Sequence, residues 1–350
     1  MAVYVAYLGA VIAWGMLCLY GRRRSDAYGK AYASGIGLLL FSISAFRADT
    51  VGTDLPSYIT KFEAIPRLGW ADMSAIEQDR GFYLFIKLLS YIDLSPRFYV
   101  VVIAAIFAVS VSVFIYRYSR EPILSFYALL PLGLFSFSMT GLRQALAISV
   151  LLFAYPHLVE RKWVRFFLVV LLASAFHATA IVFAVAYFVA FRRVTYRIVL
   201  LGLVCVAGAY VYRYAFATFF VDHFGEQRGL SITEAGGGIT TLLMYSGILV
   251  FGLLVGGRGW QCDHSTAVLY GILVVGVIFQ MMTPLLNEFF RISMYFSLYN
   301  VLFIPAAVIS IRGRFLRTLC YVTALVVLSI LYFGFTYDNA GVYPYRGLWE

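Results

Sequence analysis

The chain has 350 residues, 62% of them apolar and only 13% charged, with a formal net charge of +10. Soluble domains carry about 25% charged residues, so this composition excludes an ordinary soluble protein. It predicts an all-α polytopic integral membrane protein whose lipid-facing backbone is helical. The basic residues follow the loops between apolar stretches, which argues for membrane topology and against a nucleic-acid partner.

In chain order, twelve crossings can be drawn: 2–20, 31–46, 97–116, 122–140, 143–158, 165–177, 178–191, 197–219, 239–257, 266–284, 292–311 and 317–336. The first stretch, Ala2 to Tyr20, has its arginines (Arg22, Arg23, Arg24) after it rather than before it, the reverse of a signal peptide, so it reads as a retained span. Alternating the loops puts 16 of the 27 basic residues on one side against four acidic ones, a net +12, and leaves the other side at −2. Short basic loops stay in the cytoplasm, so both termini are expected outside. Cys18, Cys205, Cys262 and Cys320 show no disulfide or metal spacing.

The whole chain, 1–350, reads as one transmembrane domain with two outward interruptions. The first, about 47–97, is polar and carries Asp49, Asp54, Glu63, Asp72, Glu77, Asp79 and Asp93. Its apolar middle, Gly81 to Asp93, is too short to cross and predicts an interfacial or re-entrant helix. Thr53 or Asp54 can cap a short helix starting near Pro56. The second, about 220–238, ends in Gly236-Gly237-Gly238, which resists helix, and no Lys-Ser or Lys-Thr follows to make it a phosphate loop. The short spans 165–177 and 178–191 read as half-helices turning at His177, an arrangement tolerated where it lines a cavity or packs in protein.

Ionisable groups set in apolar runs are candidates for function. Arg143-Gln144 opens one apolar run and His177 interrupts another; Arg47 ends the second span and Arg291 begins the eleventh. All four fall toward the outward side. Each arginine can also be read as a helix-end residue snorkelling to head groups, and His177 as a buried structural histidine.

The ordered set of motifs resembles the EpsG-like family of Wzy-type bacterial polysaccharide polymerases. It begins with Arg47, then Val51-Gly52-Thr53-Asp54, with Tyr58 four residues on. Asp79-Arg80-Gly81-Phe82 follows, with Asp79 where the family more often has Glu. Then come Arg143-Gln144-Ala145-Leu146-Ala147, Phe176-His177-Ala178-Thr179-Ala180, Arg291 with Tyr295, and Pro344-Tyr345. The resemblance implies a GT-C-like membrane glycosyltransferase in the bacterial cytoplasmic membrane. It would join undecaprenyl-pyrophosphate-linked repeat units on the outer face, using one lipid-linked glycan as donor and another as acceptor, without nucleotide sugar, cofactor or metal. A chain-length regulator protein would be a partner beside membrane lipid.

The residue chemistry suits that reaction. Arginine stays protonated and matches phosphate oxygens with a fork of donors, so Arg47, Arg143 and Arg291 are the expected pyrophosphate ligands. The acceptor hydroxyl must lose a proton, and Asp54, Asp79 and His177 are the candidate bases, Asp54 slightly favoured. His177 can instead donate a hydrogen bond to the pyrophosphate or a sugar. Thr53, Tyr58, Gln144 and Tyr295 are expected to position substrate. Two alternatives are an O-antigen ligase, for which the second outward loop of 19 residues is short, and a lipid-linked oligosaccharide flippase, for which repeated halves are missing.

Overall fold

The structure is a computed structural model that describes all residues except 21–25, 75, 77, 78, 191–194, 225–237, 257–263, 287 and 339. Arg22, Arg23, Arg24, Glu77, Arg192, Arg193, Arg258, Cys262 and Asp263 lie outside the described residues, as does most of the second outward loop with its Glu226, Arg228, Glu234, Gly236 and Gly237.

The described residues are helical throughout, with an isolated bridge between Arg47 and Gly347 and no strand among them. The first helices are α1 (Ala2–Gly15), α2 (Asp26–Ala45), α3 (Leu55–Ala64), α4 (Trp70–Ser74), α5 (Arg80–Leu89) and α6 (Pro96–Tyr118). They are followed by α7 (Pro122–Ala128), α8 (Leu134–Thr140), α9 (Leu142–Leu151), α10 (Ala154–Val159) and α11 (Trp163–Phe176). Among the described residues three segments are long and apolar enough to cross a bilayer: Pro96–Tyr118, His264–Met282 and Arg314–Thr336. Two bent pairs raise that to five, Val199–Val211 with Arg213–Phe219 at 66° and Glu288–Ser297 with Asn300–Ser310 at 44°.

Several apolar runs expected to be single spans are broken, for local reasons. The 122–140 run divides into α7 and α8 around Pro131 and Gly133, whose φ of +73° lies in the left-handed region that favours glycine. The 143–158 run divides into α9 and α10 because Pro156 has no N–H to give the carbonyl of Leu152. At His177 α11 ends and the chain continues as a 3₁₀ helix, Ala178–Val185, so the expected break is present but the second half begins as 3₁₀ rather than α.

The chain divides into two compact units. The first comprises Met1–Pro156, Val164–Ile181 and Thr318–Glu350; the second comprises His157–Trp163 and Val182–Arg317. In the first unit the polar segment at about 47–97 folds into α3, α4 and α5. Helix α5 is amphipathic and is the short non-crossing helix expected near Gly81. Its Phe82 and Ile86 enter a buried cluster with Leu55, Tyr58 and Phe62 of α3, Tyr99, Val100 and Ile103 of α6, and Leu142 and Leu146 of α9. This cluster fixes α3 and α5 to α6 and α9. The Phe82 ring is fully buried and stands edge-on to Tyr58 at 6.0 Å between centroids. Truncating a buried Phe to Ala removes about 3–5 kcal/mol. Phe82→Ala should lower the unfolding free energy of the purified protein in detergent by that amount, seen as a lower midpoint, and an unchanged midpoint would mean α5 is not anchored there.

Candidate functional site

Asp79 is the centre of the site. It sits just before α5 with φ 53° and ψ 34°, a left-handed conformation that Asp tolerates better than most residues. Two residues later Gly81 faces the end of α11 so closely that a Cβ there would lie 2.7 Å from the Ala175 carbonyl oxygen. Gly81 therefore admits the loop to α11, and Phe82 anchors it in the core. Together these two residues account for the Asp-x-Gly-Phe pattern.

The approach brings Asp79 to groups from two other regions. Arg143 Nη1, from the first turn of α9, donates to Oδ2 at 2.6 Å. His177 Nδ1 lies 3.3 Å from the same oxygen. The Ala178 N–H donates to Oδ1 at 2.7 Å, so the carboxylate caps the 3₁₀ helix that starts there. The Asp79 side chain is 4% exposed, His177 14% and Arg143 24%, so the cluster grades from a buried anion to a half-open cation. Burial alone would raise the Asp79 pKa. The hydrogen bond from His177, the Ala178 N–H and the Arg143 guanidinium outweigh it and hold the carboxyl below its ordinary value of 3.8.

Tyr58 of α3 completes the wall. Its hydroxyl accepts from both the backbone N–H and Nε of Arg143 at 3.4 Å. Arg143 Nη2 has no partner among the described residues. Lys61 was not singled out in the sequence, yet its ammonium lies 5.4 Å from the Tyr58 ring centroid while the Arg143 guanidinium lies 6.0 Å from it. Burial and then repulsion from Arg143 lower the Lys61 pKa, against the attraction of Asp54 and Asp79. A signal was present, because Asp54, Tyr58 and Lys61 stand at i, i+4 and i+7 and share one helix face.

The remaining expected residues are placed differently. Asp54 occupies the cap position of α3 without a side-chain capping bond, and its backbone N–H donates to Thr140 Oγ1 at 2.9 Å. Thr53 is exposed, and its N–H bonds to the Ala340 carbonyl. Gln144 is buried beside Arg143 in α9. Arg291 and Tyr295 belong to the helix Glu288–Ser297 of the second unit, where Arg291 Nε lies 4.0 Å from Glu288 Oε2 and Tyr295 is buried.

Arg47 departs most from expectation. It is fully buried, and its guanidinium donates to the carbonyls of Val51 at 3.1 Å and Met139 at 2.8 Å and to both oxygens of Ser44. Every nitrogen is engaged by protein oxygens, so the pyrophosphate role expected for it is not one this geometry offers. The guanidinium instead organises the loop from 47 to 54. The tail of the chain covers that loop: Gly52 N–H bonds to Gly341 O, Ala48 N–H to Arg346 O, and Tyr345 Oη to Ile43 O. Among the described residues no three His, Cys, Asp or Glu side chains converge as a metal site requires.

A family model described as the EpsG family matches residues 30–346. The chain belongs to the EpsG family. No curated protein and no solved structure matches it. The family carries a polysaccharide-polymerase type of function, and the apolar helices make this member a membrane protein.

Asp79 gives a pH test. Its depressed pKa adds stability that is complete above the ordinary carboxylate range and is lost as pH falls through the depressed value. Asp79→Asn should cost about 3 kcal/mol at neutral pH by leaving Arg143 and His177 unpaired. The gap between wild type and variant should narrow below pH 3.8 in thermal unfolding scans. A gap that is constant with pH would contradict an ionised, paired Asp79.

Proposed function

We propose that this EpsG-family protein polymerises polyprenyl-pyrophosphate-linked oligosaccharide repeat units at the outer face of a bacterial cytoplasmic membrane. In this reading the chain crosses the bilayer twelve times in a GT-C-like arrangement with both termini outside. The observation that carries the reading is the meeting of Arg143 and His177 on the ionised Asp79, with Tyr58 bonded to Arg143, from four separated stretches of a chain of this family.

The groups divide the reaction between them. The acceptor hydroxyl gives its proton to His177 Nε2 as its oxygen bonds to the anomeric carbon of the donor. The bond from that carbon to the pyrophosphate oxygen breaks, and its electron pair leaves with the pyrophosphate. Arg143, through Nη2, and Lys61 hold the departing charge. Asp79 does not take the proton: a base works best with a pKa near the working pH, and this carboxylate is held well below it. Its part is to orient His177 through Nδ1 and to fix the Arg143 fork, as the carboxylate of a His-Asp pair does. Asp54 balances the charge of Lys61. Arg47 holds the loop rather than substrate. The assignment of Arg291 to pyrophosphate rests on its place in the motif order. Membrane lipid and a chain-length regulator are the further partners of this reading.

Purified protein given its lipid-linked repeat unit should make a ladder on a gel, also in the presence of a chelator. Arg143→Ala should lower the rate by about 10²–10³-fold, as loss of one charge-stabilising donor does, and single-repeat product should accumulate in cells at normal protein level. His177→Gln should lower turnover by about 10²–10⁴-fold with donor binding retained. Normal-length polymer from Arg143→Ala would refute the donor clamp. If Asp54→Asn stopped turnover while His177→Gln did not, the base would be Asp54. Transfer to a lipid A core in place of a ladder would make the protein a ligase, and translocation without transfer a flippase.

A further inference from the structure

Helices α2 and α6 of the first unit run antiparallel. At one end Arg97 Nη1 donates to the Arg47 carbonyl at 2.9 Å; at the other the Tyr116 hydroxyl donates to Asp26. Between them lies a cavity of about 550 Å³, open along one side. Its floor is made of small buried residues, Ala33, Gly37, Ala108 and Ser112, and its rims include Leu38 and Val109, which are more than half exposed. Lys30 and Arg117 stand at the end away from Arg97.

We propose that this groove binds one anionic glycerophospholipid, with an acyl chain along the floor and the phosphate between Lys30 and Arg117. Three observations select that ligand. From Lys30 to Phe41 the groove follows twelve residues of helix, ~16 Å over their eleven steps of ~1.5 Å, which is half of the ~30 Å hydrocarbon core and therefore one leaflet deep. At the cationic end Arg117 is exposed and makes no ion pair among the described residues, and the Lys30–Asp26 pair is solvent-exposed on both sides, leaving Lys30 donors for a phosphate. Basic pockets between membrane helices recognise anionic lipid head groups in this way.

The third observation separates a glycerophospholipid from a polyprenyl phosphate. Ser112 Oγ lines the groove, its residue is only 7% exposed, and the hydroxyl has no hydrogen-bond partner. A buried donor without a partner is costly. Ser112 lies one turn along α6 from Tyr116, ~6 Å deeper than the cationic end. Beneath the phosphate of a glycerophospholipid at that depth lie its ester carbonyls, which accept from the hydroxyl. A polyprenyl phosphate has none, and its long chain exceeds a groove one leaflet deep.

The test uses the full chain in nanodiscs of phosphatidylcholine with a minority of phosphatidylglycerol, reading co-purified lipid by native mass spectrometry. Wild type should retain phosphatidylglycerol about tenfold over its share of the bilayer, and the Lys30→Gln, Arg117→Gln double variant should retain it at its share. Ser34→Phe, which fills the groove from an exposed position, should abolish retention of either lipid while the protein elutes as a folded species. Ser112→Ala should lower retention of phosphatidylglycerol, and undecaprenyl phosphate added to the wild-type nanodiscs in an amount equal to the phosphatidylglycerol should leave that retention unchanged. No enrichment by wild type, enrichment that survives both the charge and the filling variants, or displacement of phosphatidylglycerol by an equal amount of undecaprenyl phosphate would overturn the proposal.

Discussion

The carboxylate of Asp79 is the interaction on which the site depends. An isolated buried carboxylate is costly, and the cost is offset only by partners that satisfy its oxygens. Here they come from distant parts of the chain: a guanidinium at the start of α9, an imidazole at the end of α11 and a backbone N–H at the start of a 3₁₀ helix. The anion is thus a joint. It ends α11 at His177, fixes the direction of the Arg143 fork and holds the imidazole through Nδ1. Remove the charge and the three segments lose their common partner.

The packing below makes that joint stiff. Phe82 meets Tyr58 and Phe62 meets Tyr99 edge to face in one cluster, so the loop carrying Asp79, the helix carrying Tyr58 and the helix opening with Arg143 share a core. A second polar anchor lies beside it. Arg47 binds the carbonyls of its own loop and of Met139, four residues before Arg143, and the chain's last residues lace over that loop. Preorganisation of this kind lets fixed charges stabilise a departing anion without rearranging as the reaction proceeds.

Much of this was legible in the sequence because the physics was local. The break at His177 followed from two apolar runs too short to cross, the short helix after Gly81 from its length and amphipathic pattern, and the α3 start from Asp54 and Pro56. The continuous apolar runs hid their own breaks: hydropathy sees 122–140 as one span, whereas Pro131 and the left-handed Gly133 divide it. Arg47 shows the limit for charges. An arginine at a helix end reads as snorkelling toward water, and nothing local says that a carbonyl 92 residues away will help enclose it. The pairing of Asp79 with Arg143 and His177 was invisible for the same reason, since it closes separations of 64 and 98 residues. Lys61 was overlooked although its helix face pointed to it.

A double-mutant cycle between Asp79 and Arg143, read as unfolding free energy of the purified protein, bears most directly on the joint. The variants are Asp79→Asn, Arg143→Gln and both together. A joint predicts that the second substitution costs little once the first is made, with a coupling of about 1–3 kcal/mol, the range for residues in one charged network. Additive costs would mean that the two side chains act separately and that Asp79 does not hold the site together.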